Sequence, residues 1–402
     1  MSEHRPEVAD VIRSNQARFL KCYRPSREQH RVLNALVRCR TAALGGHLKR
    51  CDTCSHEVVV YNSCRDRHCP KCQGAARAAW LEARERQVLD VEYFHVVFTL
   101  PNELAPLALQ NRRSVYGILF RAASETLLTL GRDPEFLGAE LGCLAILHTW
   151  GQTLHAHPHL HCVIAGGGLS LDGQRWVSCR NGFFLPVRVL GRLFRGKFLA
   201  HLHHAFEHEK LQFHGRLRDL EHPKAWEGLL ETLRNKDWVV YAKPPFGGPR
   251  QVLKYLARYS HRVAISNQRL LRVDDGKVSF RYKDYSQGSR QRTMTLDAVE
   301  FLRRFLLHVL PKGFMRIRYY GFLANRNRPE KLQRVRTLLG QAPLCSSAEP
   351  EMPPSGDSNN DIRSLETSEL CPACKSGHLI PIAPSIAAQV HRLRQAWSFD
   401  SS

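Results

Sequence analysis

The chain changes hydrophobic rhythm along its length. From Val8 to Tyr23 and from Ser26 to Arg40, apolar residues recur every three to four positions, the spacing of an amphipathic helix. The Ala-rich, charged stretch Ala75–Val88 continues with good helix formers. At Val91–Leu100 the pattern becomes VEYFHVVFTL, a β-branched and aromatic run stopped by Pro101, and predicts a strand. Further strands are predicted at Leu141–Trp150, His159–Ala165, Trp238–Ala242, Arg269–Val273 and Lys277–Tyr285. Helical patterns lie at Leu107–Leu130, Leu190–Phe213, Gln251–Ser260 and Leu296–Leu310. Short turns such as Asp274-Asp275-Gly276 favour antiparallel hairpins, so the fold class is α+β.

Beyond Gln341 the rhythm stops. Residues Gln341–Leu370 are rich in Pro, Ser and Asn and carry six acidic residues against one arginine, the composition of a disordered linker. Four units follow: an N-terminal helical module over 1–88, a main domain over 89–340, the acidic linker over 341–370 and a tail over 371–402. No internal repeat is visible.

Charge adds the first functional constraint. The 402 residues carry a net charge of +22, and the acidic linker makes the remainder more basic still. Such an excess fits a polyanionic partner, because phosphates neutralised by Lys and Arg release counterions. Nucleic acid fits this better than an acidic membrane. The N-terminus MSEHRPEVADVIRSNQ lacks the apolar core of a secretory signal, and no run reaches the length of a membrane span. The expectation is a cytoplasmic chain whose 13 cysteines are metal ligands, core residues or catalysts rather than disulfides.

Cys51-x2-Cys54 is followed, after fourteen intervening residues, by Cys69-x2-Cys72. Two such knuckles can close one tetrahedral Zn²⁺ site, since each bites the metal with two thiolates. Cys64, His68 and His47 stand nearby as spare ligands, so a second or shared zinc is open. Lys49, Arg65, Arg67, Lys71 and Arg77 surround the cluster and suit contact with DNA. Cys371-x2-Cys374, with His378 four residues on, is half a knuckle, equally compatible with a metal site and with plain thiols.

The segment Leu147–Gly168 reads LHTWGQTLHAHPHLHCVIAGGG. Side chains alternate faces along a strand, so His159 and His161 point one way and Leu160 and Cys162 the other. Two imidazoles side by side on a strand form a bidentate clamp for a metal. A third ligand must come from elsewhere; Gln152 is the first candidate, with His157 and His155 as alternatives. The run Gly166-Gly167-Gly168 lets backbone or DNA approach closely. A zinc hydrolase could use the same pair, so the motif alone does not name a reaction.

In KPPFGGPRQVLKYLARYSHRVAISN, Lys243–Asn267, a helix is predicted to start near Arg250, after the Pro and Gly residues. Tyr255 and Tyr259 share one face of it, flanked by Lys254, Arg258 and Arg262 as candidate DNA contacts. Two tyrosines at this spacing are often packing residues. Beside a metal clamp they gain a role, because a phenolate can attack a polarised phosphate. The His-rich stretch Leu199–His214 reads as a solvated helix face.

These segments resemble the two-tyrosine rolling-circle transposases of the HUH nuclease superfamily, of the insertion-sequence-ninety-one type and its common-region relatives. The likeness runs through YNSCRDRHCPKCQ (Tyr61–Gln73), FTLP (Phe98–Pro101), HPHLHCVIAGGG (His157–Gly168), the tyrosine segment and FLLHVLPKGFMRIRYYGFLANR (Phe305–Arg326), nearly the whole chain. It implies an antiparallel sheet carrying His159 and His161 as metal ligands, with the tyrosine helix packed beside it. It further implies Mg²⁺ or Mn²⁺ at that site, Tyr255 and Tyr259 as nucleophiles, and structural Zn²⁺ in the N-terminal module. The implied substrate is single-stranded or hairpin DNA at the element's ends, cleaved through a 5′-phosphotyrosine, in a bacterial, nucleoid-associated setting. A replication initiator or relaxase would share the chemistry, but the zinc module and the C-terminal block argue against both. A non-catalytic zinc DNA-binding regulator would need neither the histidine pair nor the tyrosines.

Overall fold

The computed structural model describes residues 5–85, 87–180, 182, 184–243, 251–252, 262–342 and 369–382. The chain opens with two helices, α1 (Val8–Cys22) and α2 (Arg27–Arg38). Helix α2 starts where Ser26 and Gln29 cap each other reciprocally, each side chain accepting the other's backbone N–H. A hairpin of β1 (Gly46–Cys51) and β2 (Glu57–Tyr61) follows, then α3 (Gln73–Glu85).

The main sheet is antiparallel. Its path is β11 (Ile317–Gly321), β4 (Ala139–Trp150), β5 (Ala156–Ser170), β3 (Tyr93–Thr99) and β7 (Val240–Lys243), with β6 (Trp176–Ser178) paired to the far end of β5. The period-two alternation sorts its faces. Phe94, Val96, Phe98, Cys143, Ala145, Leu147, Leu160, Cys162 and Ile164 turn to one side. There they pack on Leu119, Phe120, Ala123 and Leu127 of α5 (Arg112–Arg132) and Phe194, Phe198 and Leu202 of α6 (Val187–Glu207). The predicted helix Leu107–Leu130 is broken at Asn111, whose side chain bonds the carbonyls of Leu107 and Gln212; α4 (Ala105–Gln110) precedes it and α5 follows. Helix α7 (Pro223–Arg234) adds Trp226, Leu230 and Leu233 to the same core.

The glycine run on β5 serves protein backbone. A Cβ on Gly166 would stand 2.8 Å from the Glu92 carbonyl oxygen, and one on Gly168 2.7 Å from that of Glu140. Side chains there would force the neighbouring strands apart.

A second sheet is the meander β8 (Leu270–Asp274), β9 (Lys277–Asp284), β10 (Arg290–Asp297). Asp275 and Gly276 both take positive φ, 49° and 66°, the geometry of the tight β8–β9 turn the sequence predicted. The helix Ala298–Leu306 follows, and its Phe301, Leu302 and Phe305 share one core with Phe280 of β9 and with Val8, Ile12, Phe19, Val32 and Leu33 of α1 and α2. The N-terminal helices thus bury their apolar stripes against residues about 270 positions away. Arg18 pairs with Asp297 at 2.8 Å on the rim. A third, small sheet has the order β12-β1-β2, where β12 is Leu379–Pro381. Among the described residues no helix is long and apolar enough to cross a membrane.

Candidate metal centres and strand groove

The other face of the main sheet carries imidazoles. In the β4–β5 register His148 lies opposite His159 and Ile146 opposite His161; in the β3–β5 register Val97 lies opposite His161. Alternation then places His95, His148, His159 and His161 on one face. His148, His159 and His161 each offer a ring nitrogen within 4.8 Å of the others. His148 and His161 are almost fully buried.

The surrounding bonds prepare two of these rings, His159 and His161, for a metal. His159 Nδ1 stands 2.6 Å from the carbonyl oxygen of His157, which can only accept; Nδ1 therefore carries the hydrogen and Nε2 keeps its lone pair. His95 Nε2 lies 2.9 Å from His161 Nδ1, holding that ring and leaving its Nε2 facing away from the bond. Burial, with the charge of His157 adding to it, lowers the pKa of His159 to about 4. Burial pushes His161 well below its usual range, helped by His148, His159, His95 and Arg262. Burial brings His95 down to about 3, with Lys243 and His159 contributing. Neutral imidazoles are the form that ligates.

Gln152, expected from sequence as the third ligand, turns its amide elsewhere. Its Nε2 lies 3.4 Å from the Tyr285 hydroxyl and its Oε1 3.5 Å from the Lys283 amide nitrogen. The structure offers His148 in its place. His155 is exposed and bonded to Thr153 at 2.7 Å. Sequence reasoning missed His148 and His95; the signal available was a histidine on an otherwise apolar strand, in phase with neighbours destined for one face.

Tyr255, Tyr259, Lys254 and Arg258 lie outside the described residues. The residues on either side of that stretch are described. Val252 is buried in the cluster formed on the histidine face by Leu144, Ile146 and Val163. Arg262 is close enough to depress His159 and His161, and its carbonyl accepts from the half-buried Arg316 at 3.1 Å. Beside it opens a groove of about 760 Å³ lined by Arg77, Arg262, Arg269, Arg281, Lys283, Tyr282 and Tyr285. Arg281, Lys283 and Tyr285 are exposed. Arg269 is engaged with the carbonyls of Gln152 and Arg281 and stiffens the wall.

The cysteines are sorted differently from the sequence expectation. Cys69 and Cys72 do not close a site with Cys51 and Cys54. They stand with Cys39, the C-cap of α2, and Cys64. Sulfur separations are 3.5 Å for Cys39–Cys72, 3.6 Å for Cys64–Cys72 and 3.6 Å for Cys39–Cys69. A tetrahedral ion with Zn–S bonds of about 2.3 Å places its sulfurs roughly 3.8 Å apart, so this quartet fits zinc. The reason for the regrouping is tertiary. Arg31 of α2 pairs with the buried Asp66 at 2.7 Å and ties the Cys64–Cys72 loop to α2, whose C-cap is Cys39. His68 is outside the quartet, its Nε2 buried without a hydrogen-bond partner among the described residues. Cys51 and Cys54 stand with Cys371 and Cys374.

Comparison with known proteins follows the same division. A family model described as "Transposase zinc-binding domain" matches residues 11–100, and one described as "Putative transposase" matches residues 142–331. The chain is 54% identical over 95% of its length to the "Putative transposase y4qJ" of Sinorhizobium fredii, covering 96% of that protein. It is 28% identical over 77% of its length to the transposase for insertion sequence element IS801 of Pseudomonas savastanoi pv. phaseolicola, covering 74% of it. No solved structure matches.

Proposed function

Since the chain belongs to the IS91-type transposases with an N-terminal zinc-binding domain, we propose that it cuts and rejoins single DNA strands at a centre built from His148, His159 and His161, with Tyr255 and Tyr259 as nucleophiles. The observation that carries this reading is the convergence on one sheet face: three imidazoles within ligating reach of one another, with Val252, from one side of the tyrosine segment, in the apolar cluster of that face, and Arg262, from the other, close enough to depress two of the rings.

The donor set favours one of the two metals. Mg²⁺ takes oxygen ligands and keeps its waters, whereas imidazole suits later ions. Three ring nitrogens therefore favour Mn²⁺ over Mg²⁺. When bound, the ion draws charge from the scissile phosphate. The chain's own groups do the rest. The His157 carbonyl and His95 hold two of the rings in their ligating orientation. Arg77, Arg281 and Lys283 seat the strand's phosphates, and Tyr282 and Tyr285 offer faces on which unpaired bases stack. The phenol of one tyrosine loses its proton to solvent; its Oη forms a bond to phosphorus as the P–O3′ bond breaks, and the leaving O3′ takes a proton from solvent. The products are a 5′-phosphotyrosine and a 3′-hydroxyl, and one ester has replaced another. The bond energy is thus retained for rejoining, and the second tyrosine can take the other end.

The test is incubation of the full chain with end-labelled single strands from the element's termini and Mn²⁺, followed by denaturing electrophoresis. A covalent protein–DNA species is expected, and Tyr255→Phe with Tyr259→Phe, which removes only the two hydroxyls, abolishes it. An adduct that persists in the double variant overturns the nucleophile assignment. A non-catalytic zinc regulator would yield no adduct from any variant.

A further inference from the structure

We infer that Cys51, Cys54, Cys371 and Cys374 bind a second Zn²⁺, closing a zinc ribbon assembled from the two ends of the chain. The four sulfurs lie within 4.8 Å of one another, with Cys51–Cys374 at 3.7 Å and Cys54–Cys371 at 3.6 Å. That is the edge length of a tetrathiolate zinc site. Cys51 and Cys371 are almost fully buried.

The two knuckles are built alike, though more than 300 residues separate them. After each second cysteine comes a residue in the left-handed region, Ser55 at φ 58° and Lys375 at φ 59°. Each of these donates its N–H to the carbonyl of its knuckle's first cysteine, at 3.2 Å and 2.9 Å. Neither is glycine, so both positions hold strained backbone that needs a local reason. Backbone N–H groups also converge on sulfur: Thr53 and Cys54 on Cys51 at 3.4 Å each, and Gly377 on Cys374 at 3.3 Å. Amides aimed at sulfur stabilise thiolate, the form that a zinc ion needs. Gly377 closes against the site so tightly that a Cβ there would lie 2.5 Å from Cys51 Sγ.

The rest of the tail is fitted to the same end. Strand β12 pairs with β1 in antiparallel register, Cys51 opposite Leu379 and Lys49 opposite Pro381. Asp52 accepts from the His378 N–H at 2.8 Å, and its own N–H bonds the His378 carbonyl at 3.0 Å. Residues 369–382 thus act as the missing third strand and half-site of the N-terminal hairpin. The Zn²⁺ holds this piece in place, because β12 alone contributes only three residues of pairing.

The experiment measures metal and cohesion together. Native mass spectrometry of the reduced full chain should find two zinc ions, and the Cys371→Ser/Cys374→Ser variant one. X-ray absorption of the wild type should show a shell of sulfur alone. A chain carrying a specific protease site between residues 342 and 369 tests the clamp without touching a ligand: after cleavage the tail fragment should co-elute with the main body, and leave when a chelator strips zinc. One zinc in the wild type, two in the tail variant, or a cleaved tail that leaves with zinc present overturns the inference. A fragment released by reductant but not by chelator would mean disulfides and overturn it too.

Discussion

Replacing His148 by Ala tests the assignment that sequence and structure make differently. His148 supplies one of three nitrogens, and its ring is locked by burial and by stacking on Trp150 at 4.7 Å between centroids. Loss of a residue that merely orients a ligand costs about 10–100-fold in metal affinity. Loss of a directly bonded nitrogen should cost at least the upper figure, roughly 100-fold or about 3 kcal/mol. Gln152→Ala removes only hydrogen bonds of 3.4 and 3.5 Å, at the long limit for such bonds, and should leave affinity within about twofold. The assay is titration of Mn²⁺ into protein with its zinc retained, reading free Mn²⁺ by electron paramagnetic resonance. Thermal denaturation alongside separates ligand loss from unfolding, since removing a buried ring also opens a cavity. Wild-type affinity in folded His148→Ala, with a 100-fold loss in Gln152→Ala, would refute the three-imidazole centre and restore the glutamine.

Two further outcomes follow from the geometry. His308 is buried, its Nε2–H donates to the Leu154 carbonyl at 3.0 Å and its Nδ1 lies 3.1 Å from the Thr149 hydroxyl; burial lowers its pKa from 6.5 to about 4. The unfolded chain therefore binds the extra proton first: stability is full above pH about 6.5 and falls toward pH about 4, by about 3 kcal/mol for this ring. Urea denaturation across that window should show the fall, and a His308→Gln variant with an equally steep fall would exclude His308 as its source. In the groove, Arg281→Ala with Lys283→Ala should flatten the salt dependence of single-strand binding by about 0.7 in log–log slope for each phosphate no longer neutralised; an unchanged slope places the strand elsewhere.

The elements that were legible in the sequence are those specified by near neighbours. The alternation around His159 and His161 put both rings on one face because β side chains repeat every two residues, and the β4–β5 pairing keeps them there. Helices α1 and α2 carry their own periodicity and, at Ser26, their own cap. The α+β class followed from strands of distinct rhythm separated by helical stretches and closed by a turn such as Asp275-Gly276. The tyrosine pair was read the same way, and its place in space lies outside the described residues.

Tertiary structure decided the partners. His148 faces His159 through the register of the β4–β5 hairpin, which shifts at a bulge between His148 and Trp150, and side-chain alternation alone does not encode that register. Regular spacing suggested that the two N-terminal knuckles share one ion, but a knuckle specifies two ligands and leaves the other two to packing. Docking of α2 on the Asp66 loop gave Cys69 and Cys72 their partners Cys39 and Cys64; pairing of β12 with β1 gave Cys51 and Cys54 theirs, from the far end of the chain. Ligand chemistry is local and written in residue types, whereas ligand grouping is a sum over distant contacts, and only the folded chain performs that sum.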